Sequence, residues 1–370
     1  MRARLRLAPA LLLGAAACGG ASTPPAPASE GIPDAAATPC TAPADVTLRN
    51  AREVWPTLTS TCLLAPASNA VTARGEGLRY ELRAPLFSDY TDKERMVVLP
   101  PGAAAEYRPE GALAFPVGTV LVKTFSYGGV AGEPRRALET RLLVHTRTGW
   151  IGLPYVWEDD GGEARLRLAG ELRPLRFRLA DGRAVEARYH VPSANQCAKC
   201  HEQRGRLEPL GPTAENMQVA GISPLPAWAA AGHVTGMPAS PPPLLPAWDD
   251  ASAAPVAARA RAWLDANCAY CHSRAGTASP SGLYLGAHET DPGPLGVCKS
   301  PVAAGKGTGG RRYAIVPGRP DESILLYRLE ATSPDEAMPE LGRSVVHAES
   351  VALVRAWIEG LEGDCATPSP

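Results

Sequence analysis

Apolar and polar positions alternate differently in the two halves of the chain. Over residues 46–191 the dominant period is two. Leu175-Arg176-Phe177-Arg178-Leu179 and Ala164-Arg165-Leu166-Arg167-Leu168 alternate without a break, residues 185–191 do the same, and residues 119–127 are rich in β-formers. Asp160-Gly161-Gly162 and Asp181-Gly182 supply turn chemistry between them. One apolar face and one face of Arg and Glu predict an antiparallel β-sandwich. An amphipathic stretch over residues 48–58 predicts a leading helix. After Pro192 the alternation stops, and Pro241-Pro242-Pro243 with Pro246 marks a linker. Helical spacing returns over residues 255–267 and again over 349–362, where Val351, Val354, Trp357 and Ile358 share a face. Residues 273–318 between them read as a long Gly- and Pro-containing loop. The expected fold class is therefore α+β and multidomain, an antiparallel β-sandwich-like N-terminal domain followed by mainly α-helical modules.

The first residues carry an address. Arg2, Arg4 and Arg6 precede a short apolar run that ends in Ala15-Ala16-Ala17-Cys18, a pattern similar to the lipobox of bacterial lipoproteins. It predicts a signal peptide over 1–17 and lipidation of Cys18. Residues 18–45 are rich in Pro, Ala, Ser and Thr and read as a tether. The remaining boundaries are 46–191 for the β-rich domain, 192–247 for a first Cys-containing unit and 248–365 for a second. Pro (38) and Gly (36) make up a fifth of the 370 residues, which excludes a coiled coil. With 37 Lys and Arg against 38 Asp and Glu there is no basic field to hold nucleic acid. Beyond the N-terminus no apolar run is long enough for a membrane span, so membrane contact is expected through the lipid anchor only.

The placement of the nine cysteines carries the chemistry. Cys197-Ala198-Lys199-Cys200-His201 and Cys268-Ala269-Tyr270-Cys271-His272 both read Cys-x-x-Cys-His, the signature of covalent c-type haem attachment. On one helical turn, cysteines three apart reach both haem vinyl groups, and the following His projects under the iron. A zinc ribbon would set its pairs about 15–20 residues apart, far closer than these. A thioredoxin-like pair needs no His after it. Two covalently attached haems are thus expected, with His201 and His272 as axial ligands.

The sixth ligand decides what each haem does. Met338, the only Met after Cys271, stands in Ala337-Met338-Pro339 and is the expected ligand of the second haem, with His288 and His347 as fallbacks. For the first, Met237 in Gly236-Met237-Pro238 is preferred over Met217, while His145, His190, His233 and five-coordination stay open. Apart from Cys18 and the haem cysteines, Cys40, Cys62, Cys298 and Cys365 remain. An oxidising compartment predicts two disulfides with three pairings, of which local proximity favours Cys40–Cys62 and Cys298–Cys365. Gly305-Lys306-Gly307-Thr308-Gly309-Gly310 matches Gly-x-Gly-x-x-Gly, but no apolar strand precedes it, so it reads as a loop.

The order Cys-x-x-Cys-His helix, loop, Met-Pro, terminal helix resembles a class I cytochrome c domain. Further phrases resemble a family of exported bacterial dihaem c-type cytochromes: Leu63-Leu64-Ala65-Pro66-Ala67-Ser68-Asn69-Ala70-Val71, Pro85-Leu86-Phe87-Ser88-Asp89-Tyr90, Thr140-Arg141-Leu142-Leu143-Val144-His145 and Leu153-Pro154-Tyr155-Val156-Trp157, continued by Val316-Pro317-Gly318 and Met338-Pro339. The resemblance implies cytochrome c haem modules behind a β-rich domain, one-electron transfer with periplasmic or membrane redox partners, and a companion β-helix protein. The expected protein is a lipid-anchored dihaem cytochrome facing the periplasm from a bacterial membrane, the outer one. Two alternatives are a dihaem peroxidase or small-molecule dehydrogenase with an open first haem, and a redox-linked binding protein that uses the β domain.

Overall fold

Period-two alternation becomes an antiparallel sheet covered on both faces. The computed structural model describes residues 40–67, 69–128, 134–179 and 181–365. Nine strands position the site: β1 (Leu78–Leu82), β2 (Asp92–Val98), β3 (Val120–Tyr127), β4 (Arg136–Thr146), β5 (Gly149–Trp157), β6 (Ala164–Leu166), β7 (Glu171–Arg178), β8 (Ala184–Val191) and β9 (Met217–Gln218). Seven of them form one sheet in the order β9-β1-β2-β3-β4-β5-β6, and β7 pairs with β8 as a separate hairpin. Met96, Val122, Leu142, Leu153 and Tyr155 point to one side and pack with Trp55, Leu58 and Leu64. On the other side Val97 and Leu121 meet Leu113, Phe115, Met217 and Trp228, and Phe125 meets Leu175, Phe177 and Tyr189 of the hairpin. A strand covered on both faces has no solvated side, and six of the eight residues of β3 are buried.

The expectation of mainly α-helical cytochrome c modules behind the sheet is overturned, since regular structure here is mostly β-sheet. Among the described residues the longest helix, Ala348–Glu359, has 12 residues. The unit around Cys197 is not mainly helical either: besides the five-residue turn Cys197–His201 and the six-residue helix Leu225–Ala230 it supplies β9 to the sheet edge. Over residues 273–323 Gly and Pro permit only turns of three or four residues, such as Ser279–Ser281, Pro292–Leu295 and Gly305–Thr308. The helix expected over 48–58 shrinks to Ala51–Val54. Pro56 stops it, Thr57 and Ser60 exchange side-chain hydrogen bonds, and Leu58 N donates to Ala164 O at 3.0 Å.

Helices Val256–Leu264 and Ala348–Glu359 hold a second core, in which Trp263, Leu264 and Cys268 meet Leu353, Val354, Trp357 and Ile358. The turn Phe87–Tyr90 ties this core to the sheet. Asp89 and Tyr90 adopt left-handed backbone (φ 47° and 57°), and both side chains reach the segment 344–349. The Asp89 carboxylate, 2 % exposed, accepts from Ser344 N (2.6 Å), Ser344 Oγ (3.0 Å) and Val345 N (3.0 Å). Tyr90 OH donates to Glu349 Oε2 at 2.7 Å, and Phe87 N donates to Asn267 Oδ1 at 2.7 Å, beside Cys268. Asp89→Ala orphans three donors at once and is expected to cost about 3 kcal/mol, read from urea unfolding.

Cys40 is joined to Cys62 and Cys298 to Cys365. Residues 1–39, with the signal segment, Cys18 and most of the tether, lie outside the described residues. Among the described residues no helix is long and apolar enough to cross a membrane.

Candidate functional site

A capping box starts the first motif. Ser193 Oγ accepts from Gln196 N (3.3 Å) while Gln196 Oε1 accepts from Ser193 N (2.8 Å), and the chain turns into the helix Cys197–His201. His201 Nδ1 lies 2.9 Å from Glu208 O. That carbonyl can only accept, so it fixes the proton on Nδ1 and leaves the Nε2 lone pair for a metal. Burial pushes the ring down to about 4, so it is neutral at physiological pH. Cys197 lies against β5 at Gly152, where a Cβ would come within 2.5 Å of Sγ. Glycine there is a seat for the sulfur.

The second motif grows out of helix Val256–Leu264, which widens into the turn Asp265–Ala269 carrying Cys268. His272 N donates to Cys268 O at 2.8 Å, so both cysteines and the histidine share one helical turn. Cys268 is buried, and burial pushes its thiol up to about 12. Burial also lowers His272, with Arg328 and Glu340, on either side of Met338 in sequence, as weaker influences.

The two motifs touch. Lys199 O accepts from Cys271 Sγ (3.3 Å) and from Thr277 Oγ1 (3.1 Å). Gln203 Nε2 donates to Tyr270 O at 2.6 Å, Arg204 N donates to Ala275 O at 3.0 Å, and Gln203 and Gly276 form an antiparallel bridge. A side chain at Gly276 would overlap the Cys271 carbonyl. The thiols of Cys200 and Cys271 share a hydrogen bond, which pulls Cys271 down to about 7 and raises Cys200.

A cavity of about 510 Å³ opens between the first motif and the sheet. That is within the range of roughly 300–1,000 Å³ typical of cofactor sites. Cys197, Cys200 and His201 line it together with Arg95, Lys123 and Arg141 of the sheet, and His190 and His288 also reach it. Met217 does not line it: fully buried on β9, it packs in the core with Tyr80 and Trp228. Met237 is packed against that same core and does not line the cavity either.

Three of the other candidate ligands, all histidines, are already engaged. His145 stacks on Trp150 with Nδ1 2.9 Å from Phe115 O, and His233 Nε2 lies 2.9 Å from Glu76. His288 Nε2 pairs with Glu215 at 2.7 Å beside the cavity, which Ala269 and Tyr270 of the second motif also line. Met338 is half-buried, its N donating to Arg328 O at 2.9 Å and its carbonyl accepting from Arg343 Nε at 3.0 Å. Pro339 and Asn267 line one small cleft together with His347.

His347 sits in an aromatic cage. Its ring stacks on Phe87 at 4.1 Å, with Tyr90, Trp248 and Trp263 around it, and its buried Nδ1 has no partner among the described residues. Burial lowers its pKa from 6.5 to about 4. The folded state therefore disfavours the proton that the unfolded chain takes up. Stability from this group is complete above about pH 6.5 and is lost as pH falls through about 4, a total of order 3 kcal/mol. Unfolding titrations at pH 7 and pH 4 should show this loss, and His347→Phe should flatten it.

The sequence pattern singled out the cysteines and histidines but not Arg95, Lys123, Arg141 or Gly152. The available signal was Lys123 itself, a charge in the middle of a strand with both faces buried. Among the described residues no group of three or more His, Cys, Asp or Glu is placed to hold a free metal ion. A covalently held haem fits the first motif on three counts: the glycine seat for Cys197, the oriented His201, and a buried Arg95 Nη2 without a partner at the cavity wall. The chain matches no protein-family model, and no curated protein or solved structure is similar enough to be matched.

Proposed function

We propose that this chain is an exported, lipid-anchored dihaem c-type cytochrome that relays single electrons through two neighbouring haems. Cys197, Cys200 and His201 would hold one, and Cys268, Cys271 and His272 the other. The observation that carries this reading is the contact between the two Cys-x-x-Cys-His segments. A haem supplies one-electron chemistry at its iron, tuned by its axial ligand and by burial. The chain's own residues do the rest. Glu208 O orients His201, and sheet residues with His190 of β8 form the cavity wall. Gln203, Thr277 and Lys199 fix the separation of the two attachment turns, and electron transfer requires a fixed separation. Met338 is the sixth ligand we propose for the second haem, and Cys18 the lipidated anchor.

A second reading is favoured by one observation. Neither Met217 nor Met237 lines the cavity, although the core they pack in adjoins it, so no thioether faces the first haem, and an iron left open there, without His190 as its ligand, would make the chain an oxidoreductase. The spectrum of the oxidised holo-protein decides between them: two low-spin haems support the relay, one high-spin haem the enzyme. Met338→Ala should remove the weak red absorption that marks a thioether-ligated ferric haem. A protein without covalent haem at either motif would end both readings.

A further inference from the structure

Strand register gathers buried positive charge on one wall of the cavity. Arg95 on β2 lies directly opposite Lys123 on β3, and Lys123 directly opposite Arg141 on β4. All three line the cavity. Like charges facing each other across a sheet repel, and burying them adds a desolvation cost, so such a row persists only with an anionic partner. One partner is present: Glu139, fully buried, takes Arg141 in a two-pronged pair (2.9 and 2.5 Å) and also accepts from Tyr189 OH at 2.5 Å. The other two cations form no ion pair among the described residues, Glu81 and Glu139 acting on Arg95 and Lys123 only from beyond pairing distance. Arg95 is 6 % exposed, donates only Nη1 to Lys93 O at 3.3 Å, and leaves Nη2 buried and unbonded. Lys123 has no hydrogen bond or ion pair among the described residues, and its ammonium rests on the Phe125 ring at 4.7 Å. Burial lowers Lys123 well below the usual lysine range, with Arg95, Arg141 and Lys93 adding to the effect. Lys93 is no counterion, and its own ammonium is spent on Thr91 O at 2.6 Å.

We propose that the row Arg95–Lys123–Arg141 clamps the two propionate carboxylates of the haem held by Cys197 and Cys200, and so sets its orientation in the cavity. The proposal rests on reading Cys197–His201 as a haem-attachment turn. Charge and geometry both match. With Arg141 neutralised by Glu139, two positive charges remain for two carboxylates. The thioether and propionate edges lie on opposite sides of the macrocycle. Cys197 sits on Gly152 of β5, and Lys123 and Arg95 lie two and three strands away, about 10 and 14 Å at the usual strand spacing. The porphyrin with its side chains spans that interval.

The test uses mature holo-protein and four chains: wild type, Lys123→Met, Arg95→Met and Lys123→Arg. Pyridine haemochrome counts the haems, resonance Raman reads the propionate bending band, and a redox titration reads the potentials. Expected are two haems in every chain, a shifted propionate band in both Met variants, and a lower potential for one haem, because removing a nearby cation eases the ferric state. Lys123→Arg should keep the potential near that of wild type. If Lys123→Met yields no holo-protein, a shifted band in Lys123→Arg with both haems retained carries the same support. An unmoved band and unmoved potentials with both haems attached would overturn the clamp while leaving the dihaem reading intact. The clamp is equally overturned if added inorganic phosphate binds to wild type and not to Lys123→Met while the band stays put, since the row would then hold a free anion. A wild-type chain with no haem on Cys197 and Cys200 overturns the clamp together with the reading beneath it.

Discussion

Cys268→Ser/Cys271→Ser should leave the mature protein with one covalent haem in place of two. Serine keeps the shape of each side chain and removes the sulfur that makes the thioether, so the loss is chemical and not a failure of packing. Cys268 is buried in the core that joins Val256–Leu264 to Ala348–Glu359, where serine costs little volume. The first turn begins with its own capping box and keeps its seat on Gly152, so Cys197 and Cys200 remain competent. The haem-to-protein ratio should halve, and mass spectrometry should find the remaining haem on the peptide containing Cys197. A ratio unchanged in the double variant would remove the second attachment site. Wild-type protein should further show two reduction steps that influence each other, because two charged centres are set side by side across the Lys199–Cys271 contact. In the double variant that interaction should vanish along with one step.

The second large effect is expected from a residue with no reactive group. Gly152 lies on β5 opposite Leu143, and a Cβ at this position would reach 2.5 Å from Cys197 Sγ and 3.0 Å from its Cβ. Real Cβ atoms do not approach that closely, and the obstacle is the short base of a side chain on a five-residue helix. Either the turn Cys197–His201 moves off the sheet or the strand buckles. Gly152→Val is the informative substitution, since valine suits a strand better than glycine and leaves the ladder hydrogen bonds alone. The expected outcome is loss of the first haem in most molecules, with the second retained, measured by haemochrome and peptide mapping. Retention of both haems at wild-type ratio would show that the sulfur does not need this seat.

What could be read from the sequence was local. Two cysteines three apart with a histidine next to them encode one turn of backbone, and Cys197–His201 is that turn. Alternation over residues 171–191 encodes β7 and β8, because a strand's period depends on nothing distant. What could not be read was register. Nothing near Lys123 in the chain announces that Arg95 and Arg141 stand on either side of it, because pairing is set by the whole sheet. The role of Asp89 was likewise hidden, its partners at Ser344 and Val345 lying far along the chain. Helical spacing over 255–267 and 349–362 marked Val256–Leu264 and Ala348–Glu359 within a few residues, and the Gly- and Pro-containing stretch 273–318 between them is indeed loop with short turns. What the local pattern missed is that the helices Ile324–Glu330 and Ala348–Glu359 are too short to make the whole a mainly helical module. Met217 was misleading for a related reason: a methionine is equally at home on an iron or in a core, and β9 puts this one in the core.

The bridge between Gln203 and Gly276 also bears on inheritance. A polyproline stretch such as residues 241–246 is where recombination would be expected to cut and rejoin genes without harm. Here such a cut would separate Thr277 from Lys199 O and Tyr270 O from Gln203, leaving two fragments that each expose the surface meant for the other. A graft of residues 248–365 alone onto another chain would therefore carry a raw face. The two Cys-x-x-Cys-His turns are one heritable unit, and lineages should gain or lose them together.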